Sequence, residues 1–101
     1  MGNRLDLQAL LEELLGSENV YYQPPASVRM SYPAIVYSRK TIDNTHANNA
    51  AYLQSTSYEI TVIDKNPDSE IVDKVSKLPT CRFDRHYATD NLNHDVFTLY
   101  Y

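Results

Sequence analysis

The stretch SYEITVID, residues 57–64, decides the fold class. Its residues alternate between β-branched or aromatic side chains and polar ones, with a period of two. This alternation predicts a β-strand that is buried on one face. That face carries Tyr58, Ile60 and Val62, and the other carries Ser57, Glu59 and Thr61.

A second signal follows at once in NPDSEIVDKVSKLP, residues 66–79. Asn66 is suited to cap a helix because its side-chain oxygen can accept a backbone N–H. Pro67 is suited to the first helical position, where the N–H that proline lacks is not needed. Pro79 cannot continue a helix, so it marks the end. The sequence predicts a helix whose apolar stripe consists of Ile71, Val75 and Leu78, with Val72 beside it.

The N-terminal stretch NRLDLQALLEELLG, residues 3–16, also predicts a helix. Asn3 is the expected N-cap, and Gly16 is the expected C′ residue, where a left-handed conformation is common. We interpret its leucines as a stripe that faces the core. The alternative is that they form a groove for a partner helix. The stripe consists of Leu7, Leu10, Leu11, Leu14 and Leu15.

Residues 19–39, which lie between the N-terminal stretch and residues 57–64, contain two candidate strands. Val20–Gln23 is a short strand that Pro24–Pro25 ends, because proline removes a ladder donor. Tyr32–Arg39 is rich in β-branched and aromatic residues, and Pro33 is compatible with a strand only near its start or at an edge.

The polar stretch over residues 41–52 shows no period and no glycine. A loop of this length usually has a function or is disordered, so we predict a mobile loop. Its His46 and Asn48 are candidate partner contacts, which would become ordered on binding. A tolerated surface loop is the equal alternative.

The chain closes with CRFDRHY, residues 81–87, and HDVFTLYY, residues 94–101, which predict a hairpin. If Tyr87 lies opposite His94, then Cys81, Phe83, Arg85 and Tyr87 share a face with His94, Val96, Thr98 and Tyr100. The other face carries Arg82, Asp84, His86, Asp95, Phe97, Leu99 and Tyr101.

The element order is therefore α-β-β-β-α-β-β, which predicts one α+β domain over residues 1–101 with a mostly antiparallel sheet and two helices. The closing strand is apolar on both faces, whereas two short helices cover only one face of a small sheet. We expect another copy of the chain to cover the second face. The candidate contact residues are Phe97, Leu99, Tyr100 and Tyr101.

The composition of the chain argues against several classes of function. The chain has 101 residues, a net charge of −4 and no Lys or Arg run, which disfavours autonomous nucleic-acid binding. No apolar run spans a bilayer and no signal peptide is evident, and the single Cys81 suits a reducing cytosol. Nine tyrosines, more than a small core needs, favour protein–protein contact.

The hairpin also holds Asp84, His86, Asp90, His94 and Asp95, so a metal or acid–base site must be considered. In the assumed register His86 faces Asp95 while His94 points away, which favours a cross-strand pair over a metal site. Cys81 is expected to be a structural thiol, and two glycines offer no phosphate-binding loop. We therefore expect no enzyme and no cofactor, and keep a small metal-dependent enzyme as the least favoured alternative.

Three stretches resemble the tail-terminator group among the tail-completion proteins of long-tailed bacteriophages. They are NVYYQPPASVRMSYPAIVYSR, YEITVIDKNPDSEIVDKV and FDRHYATDNLNHDVFTLYY, which together fall within residues 19–101. The resemblance implies an α+β subunit of a six-membered ring. Such a ring caps the head-proximal end of the tail tube, stops its polymerisation and offers a docking surface to the head.

The same resemblance implies the partners and the location. The partners would be other copies of the chain, the tail tube protein and neck proteins, with DNA passing through the lumen without specific binding. The protein would be assembled in the host cytoplasm and reside in the virion, at the tail and neck. A head-tail connector is the alternative, and the family carries no catalytic residues to transfer.

Overall fold

A computed structural model describes residues 4–25, 29–46 and 52–100, with the backbone alone over 41–46 and 52–55. It contains two helices and five strands in the predicted order. The elements are α1 (Arg4–Leu15), β1 (Val20–Tyr22), β2 (Ala34–His46), β3 (Tyr52–Asp64), α2 (Glu70–Ser76), β4 (Cys81–Thr89) and β5 (Leu92–Tyr100). The α+β class is confirmed.

The five strands form one sheet in the order β1-β2-β3-β5-β4. Only the short β1 is parallel to its neighbour, and the other three pairings are antiparallel. The last strand of the chain is thus an inner strand, inserted between β3 and β4. The two edges of the sheet are β1 and β4.

Both helices lie on one side of the sheet, which we call the helix-covered face. Strand alternation places Tyr58, Ile60 and Val62 of β3 there, as the sequence predicts. Leu7 and Leu11 of α1 pack against them, so the leucine stripe is part of the core. The buried cluster consists of Leu7, Leu11, Val20, Ile35, Tyr37, Tyr58, Ile60, Val62, Val75, Phe97 and Leu99.

A polar contact joins α1 to the middle of this core. The buried Tyr37 donates its hydroxyl to Oε1 of Gln8 at 2.5 Å, and Gln8 Nε2 donates to the carbonyl of Val20 at 3.1 Å. The guanidinium of Arg4 lies 4.6 Å from the centroid of the Tyr22 ring. These contacts satisfy the buried hydroxyl and set the position of α1 over β1 and β2.

The predicted end of α1 is confirmed. Gly16 has a φ of 78° and donates its N–H to the carbonyl of Glu12 at 2.9 Å. The left-handed backbone costs glycine little because it has no Cβ. The proposed cap Asn3 lies outside the described residues.

The predicted start of α2 is wrong by one turn. Ser69, not Asn66, is the N-cap, and its Oγ accepts the N–H of Ile71 at 3.3 Å. Asn66 instead accepts the N–H of Asp68 at 3.0 Å, while its own N–H donates to Asp64 Oδ1 at 3.0 Å. These two side-chain hydrogen bonds to the backbone form turns over residues 64–68 in place of a helix, so Pro67 lies in a turn.

The loop predicted over residues 41–52 is wrong for 41–46 and 52, which belong to β2 and β3. The two strands pair from Ala34↔Ile63 to His46↔Tyr52, with a bulge between Arg39 and Thr41. The mixed polar sequence hid the strands because the ladder between them is formed by the backbone and needs no hydrophobic period. Asn48 lies outside the described residues.

The cap assignment yields a stability prediction. Replacing Ser69 with Ala removes the acceptor for the Ile71 N–H and should lower the free energy of unfolding by about 1 kcal/mol. Ser76→Ala, an exposed change in the last residue of α2, should stay within about 0.5 kcal/mol of wild type. Urea denaturation measures both, and equal effects would contradict Ser69 as the cap.

Candidate interaction surface

The β4–β5 hairpin is closed by a two-residue turn. Asp90 and Asn91 both have positive φ, at 53° and 61°, as a type I′ turn requires. This turn matches the right-handed twist of the flanking strands, and Asp and Asn tolerate its left-handed backbone better than most residues. The assumed pairing of Tyr87 with His94 is confirmed.

A bulge at Asp84 changes the register farther from the turn. The pairing shifts between Phe83 and Arg85, so Phe83 lies opposite Phe97 and Cys81 lies opposite Leu99. The predicted faces are therefore correct near the turn and wrong for three residues beyond the bulge. Cys81 and Phe83 lie on the helix-covered side, and Arg82, opposite Thr98, lies on the other side. One extra residue in β4 reverses every side chain beyond it.

The inner position of β5 overturns part of the expected interface. Phe97 and Leu99 are buried in the core of a single chain, so their side chains offer no surface to a partner. Both residues are buried because β5 pairs with β3 on one side and β4 on the other, and because the helices cover the face on which they lie. The sequence shows that a strand is apolar but not that its own chain already covers it.

The opposite side of the sheet, which we call the open face, is also partly covered by the chain itself. Val96 and Thr98 lie there and are buried, and the Nζ of Lys40 reaches across β3 to donate to Thr98 Oγ1 at 3.4 Å. The expectation that β5 needs a second copy to cover this face is thus wrong for Val96 and Thr98.

The remaining candidate residues fall in different places. Tyr100 is 44% exposed and its carbonyl accepts a hydrogen bond from the Thr80 hydroxyl. His46 is the final residue of β2, where only the backbone is described. Tyr101 lies outside the described residues. The structure therefore does not bring the predicted contact residues together as one surface.

The exposed strand is β4 instead, since residues 82–90 are all exposed. Phe83 is 52% exposed although its ring meets Phe97 edge-on at 5.5 Å between centroids. Tyr87 is 43% exposed and stacks on His94 at 4.6 Å with 10° between the planes. Each aromatic ring thus has one side held by β5 and one side open, on an edge strand with unpaired backbone groups.

Charges alternate with these rings along β4. His86 Nδ1 lies 2.8 Å from Asp95 Oδ1, so the predicted cross-strand pair is confirmed. Arg85 contacts the carboxylates of Asp84 at 3.0 Å and Glu59 at 3.7 Å. Arg82 forms no ion pair with any residue that the structure describes.

An open pocket of about 310 Å³ lies beside this strand on the open face. The stacked pair of Tyr87 and His94 borders it, together with Val36, Thr61 and Ile63 of the sheet. Pro24, Pro25 and Met30 complete the lining. Apolar and aromatic groups prevail, which suits contact with another protein more than the binding of a charged molecule.

The hairpin shows no arrangement for metal chemistry. Over residues 4–25, 29–46 and 52–100, no three His, Cys, Asp or Glu side chains converge as metal ligands would. Cys81 is half-buried, and burial raises the pKa of its thiol. The protonated thiol packs against the core, as expected for a structural cysteine.

Neither a known protein family nor a curated protein matches this chain. Within the described part of the chain, the helices are too short or too polar to cross a membrane.

The two phenylalanines of the hairpin should respond differently to truncation. Phe97→Ala should lower the free energy of unfolding by about 3–5 kcal/mol because it empties a buried site. Phe83→Ala should cost about 1 kcal/mol, since half of that ring is already in water. Chemical denaturation of both variants tests the assignment, and a larger loss for Phe83 would contradict it.

The raised pKa of Cys81 predicts slow alkylation. At mildly alkaline pH the folded thiol should react with iodoacetamide more slowly than the same thiol in urea-unfolded chain. Because the folded chain favours the protonated thiol of Cys81, its contribution to the free energy of unfolding is complete below the ordinary pKa of 9.0. The contribution is lost as pH rises through the raised pKa of the folded thiol. Equal rates in folded and unfolded protein would refute the burial effect.

Proposed function

We propose that this chain is a tail terminator, a non-enzymatic subunit of a ring that caps the head-proximal end of a phage tail tube. The resemblance over residues 19–101 supports this assignment, and so does the α+β architecture that it implies. In this role the ring stops tube growth and offers its far side to the neck and the filled head.

The observation that carries the proposal is the exposed β4 edge. A nine-residue edge strand with two half-exposed aromatic rings is a liability for a monomer, because it presents unpaired backbone and apolar groups to other chains. In a ring each copy meets two neighbours, so such an edge becomes a contact. The strand's charged side chains and its bulge would restrict that contact to the correct partner.

The long β2–β3 hairpin suits contact with the tube or the neck. Beyond the Thr41↔Ser57 pair its strands pair with each other over five further pairs to His46↔Tyr52, and no other described strand pairs with them there. At about 3.4 Å per residue this ribbon is roughly 17 Å long. A two-stranded ribbon alone is marginally stable, and docking on a partner would stabilise it. His46, the final residue of β2, keeps its proposed contact role, and so does Asn48, which lies outside the described residues.

The charge of the chain is compatible with a DNA channel. A net charge of −4 gives the subunit little tendency to hold phosphates, which need Lys and Arg. DNA could then slide through a ring of such subunits during ejection. Specific DNA binding is not part of the proposal.

Electron microscopy of the purified protein with polymerising tail tube protein of the same phage tests the role. We expect rings on one end of each tube and tubes that stop lengthening once capped. Binding to portal-bearing heads with no effect on tubes would favour the connector instead. Binding to neither would contradict both.

A shortened ribbon provides the matched variant for the same assay. Replacing residues 44–54 with Asn-Gly joins Asp43 to Ser55, which are paired in the structure, through a turn that favours type I′ geometry. The body of the sheet should remain folded while tube capping is lost. Unchanged capping would remove the ribbon, with His46 and Asn48, from the tube contact.

A further inference from the structure

We propose that neighbouring copies meet head to tail, with the outer surface of α1 in one copy packed against β4 of the next. The first surface, the α1 patch, consists of Leu5, Ala9, Glu12 and Glu13. The second, the β4 patch, consists of Arg82, Arg85 and Tyr87, which share the open face. The inference rests on the proposed ring and names the contact that would build it.

The α1 patch lies opposite the buried side of its helix. Leu5, Ala9 and Glu13 follow each other at four-residue intervals and are all exposed, so they form one stripe. Leu7 and Leu11, on the reverse side, are fully buried. Leu5 is 66% exposed, more than any other large hydrophobic residue that the structure describes.

The two patches complement each other in charge and in apolar character. Glu12 and Glu13 give the α1 patch negative charge beside Leu5, and neither forms an ion pair with a described residue. The β4 patch combines the half-exposed Tyr87 with Arg82, whose guanidinium has no carboxylate partner among the described residues. Apolar contact with flanking opposite charges is typical of a specific interface.

Their positions favour a directional contact. α1 packs over β1 and β2, whereas α2 packs next to β4, so the patches lie towards opposite edges of the sheet. Two different patches on opposite sides of one subunit join copies head to tail. Such contacts produce either a ring, when the rotation closes, or a filament. In a closed ring no patch remains uncovered.

Mixing two defective variants provides the test. Leu5→Asp/Glu13→Arg disables the α1 patch, and these charges suit the two ends of α1, so the helix should remain stable. Arg82→Glu/Tyr87→Ser disables the β4 patch. Each variant alone should be monomeric by native mass spectrometry and sedimentation, and an equimolar mixture should form a heterodimer that cannot grow.

That heterodimer is diagnostic because the mixture contains one intact copy of each patch. If β4 instead paired with β4 of another copy, the α1-defective variant would still dimerise alone, which would overturn the proposal. Lys65→Glu, an exposed change of equal charge to Arg82→Glu, should leave the ring intact. Circular dichroism must show all variants folded, so that loss of assembly reports the contact.

Failure of the contact is distinguishable from failure of the proposed function. Wild-type rings that survive both double substitutions would overturn the α1–β4 contact, and so would a wild-type protein that stays monomeric at millimolar concentration. Capping of tail tubes by the wild-type protein is measured independently. Tube capping would support the terminator role even if the proposed α1–β4 contact is wrong.

Discussion

The insertion of β5 between β3 and β4 is the constraint on which the rest of the structure depends. It gives β4 a strand neighbour, and it places Phe97 opposite both Ile60 and Phe83. It also buries four consecutive residues, 96–99, against the sheet and the helices. The apolar character of these four residues is therefore explained within one copy.

This arrangement makes the two edges of the sheet unequal. β1 has only three residues and is followed by Pro24-Pro25, so it offers little to another strand. β4 has nine residues, is exposed along nearly its whole length and carries two aromatic rings. The exposed aromatic surface of the hairpin consequently lies mainly on β4. In the proposed contact, α1, which lies over the other edge, supplies the complementary surface.

Sequence patterns succeeded where a signal is local. Alternation over residues 57–64 identified the buried strand, and Gly16 identified the end of α1. The pairing of His86 with Asp95 was predictable because it depends on a short hairpin turn. The cap of α2 was missed since Asn66 and Ser69 are both competent caps. The paired turns at residues 64–68 decide between them.

The sequence by itself determined the element order, the helix-covered face and the hairpin turn, because period and turn chemistry are local properties. Only the tertiary structure decided which strand is inner, where β4 bulges and which apolar residues remain in water. Those features depend on pairing between distant segments, since an inner and an edge strand can have the same composition. Phe97 and Phe83 illustrate this: they are chemically identical and directly paired, yet one is core and the other is half exposed.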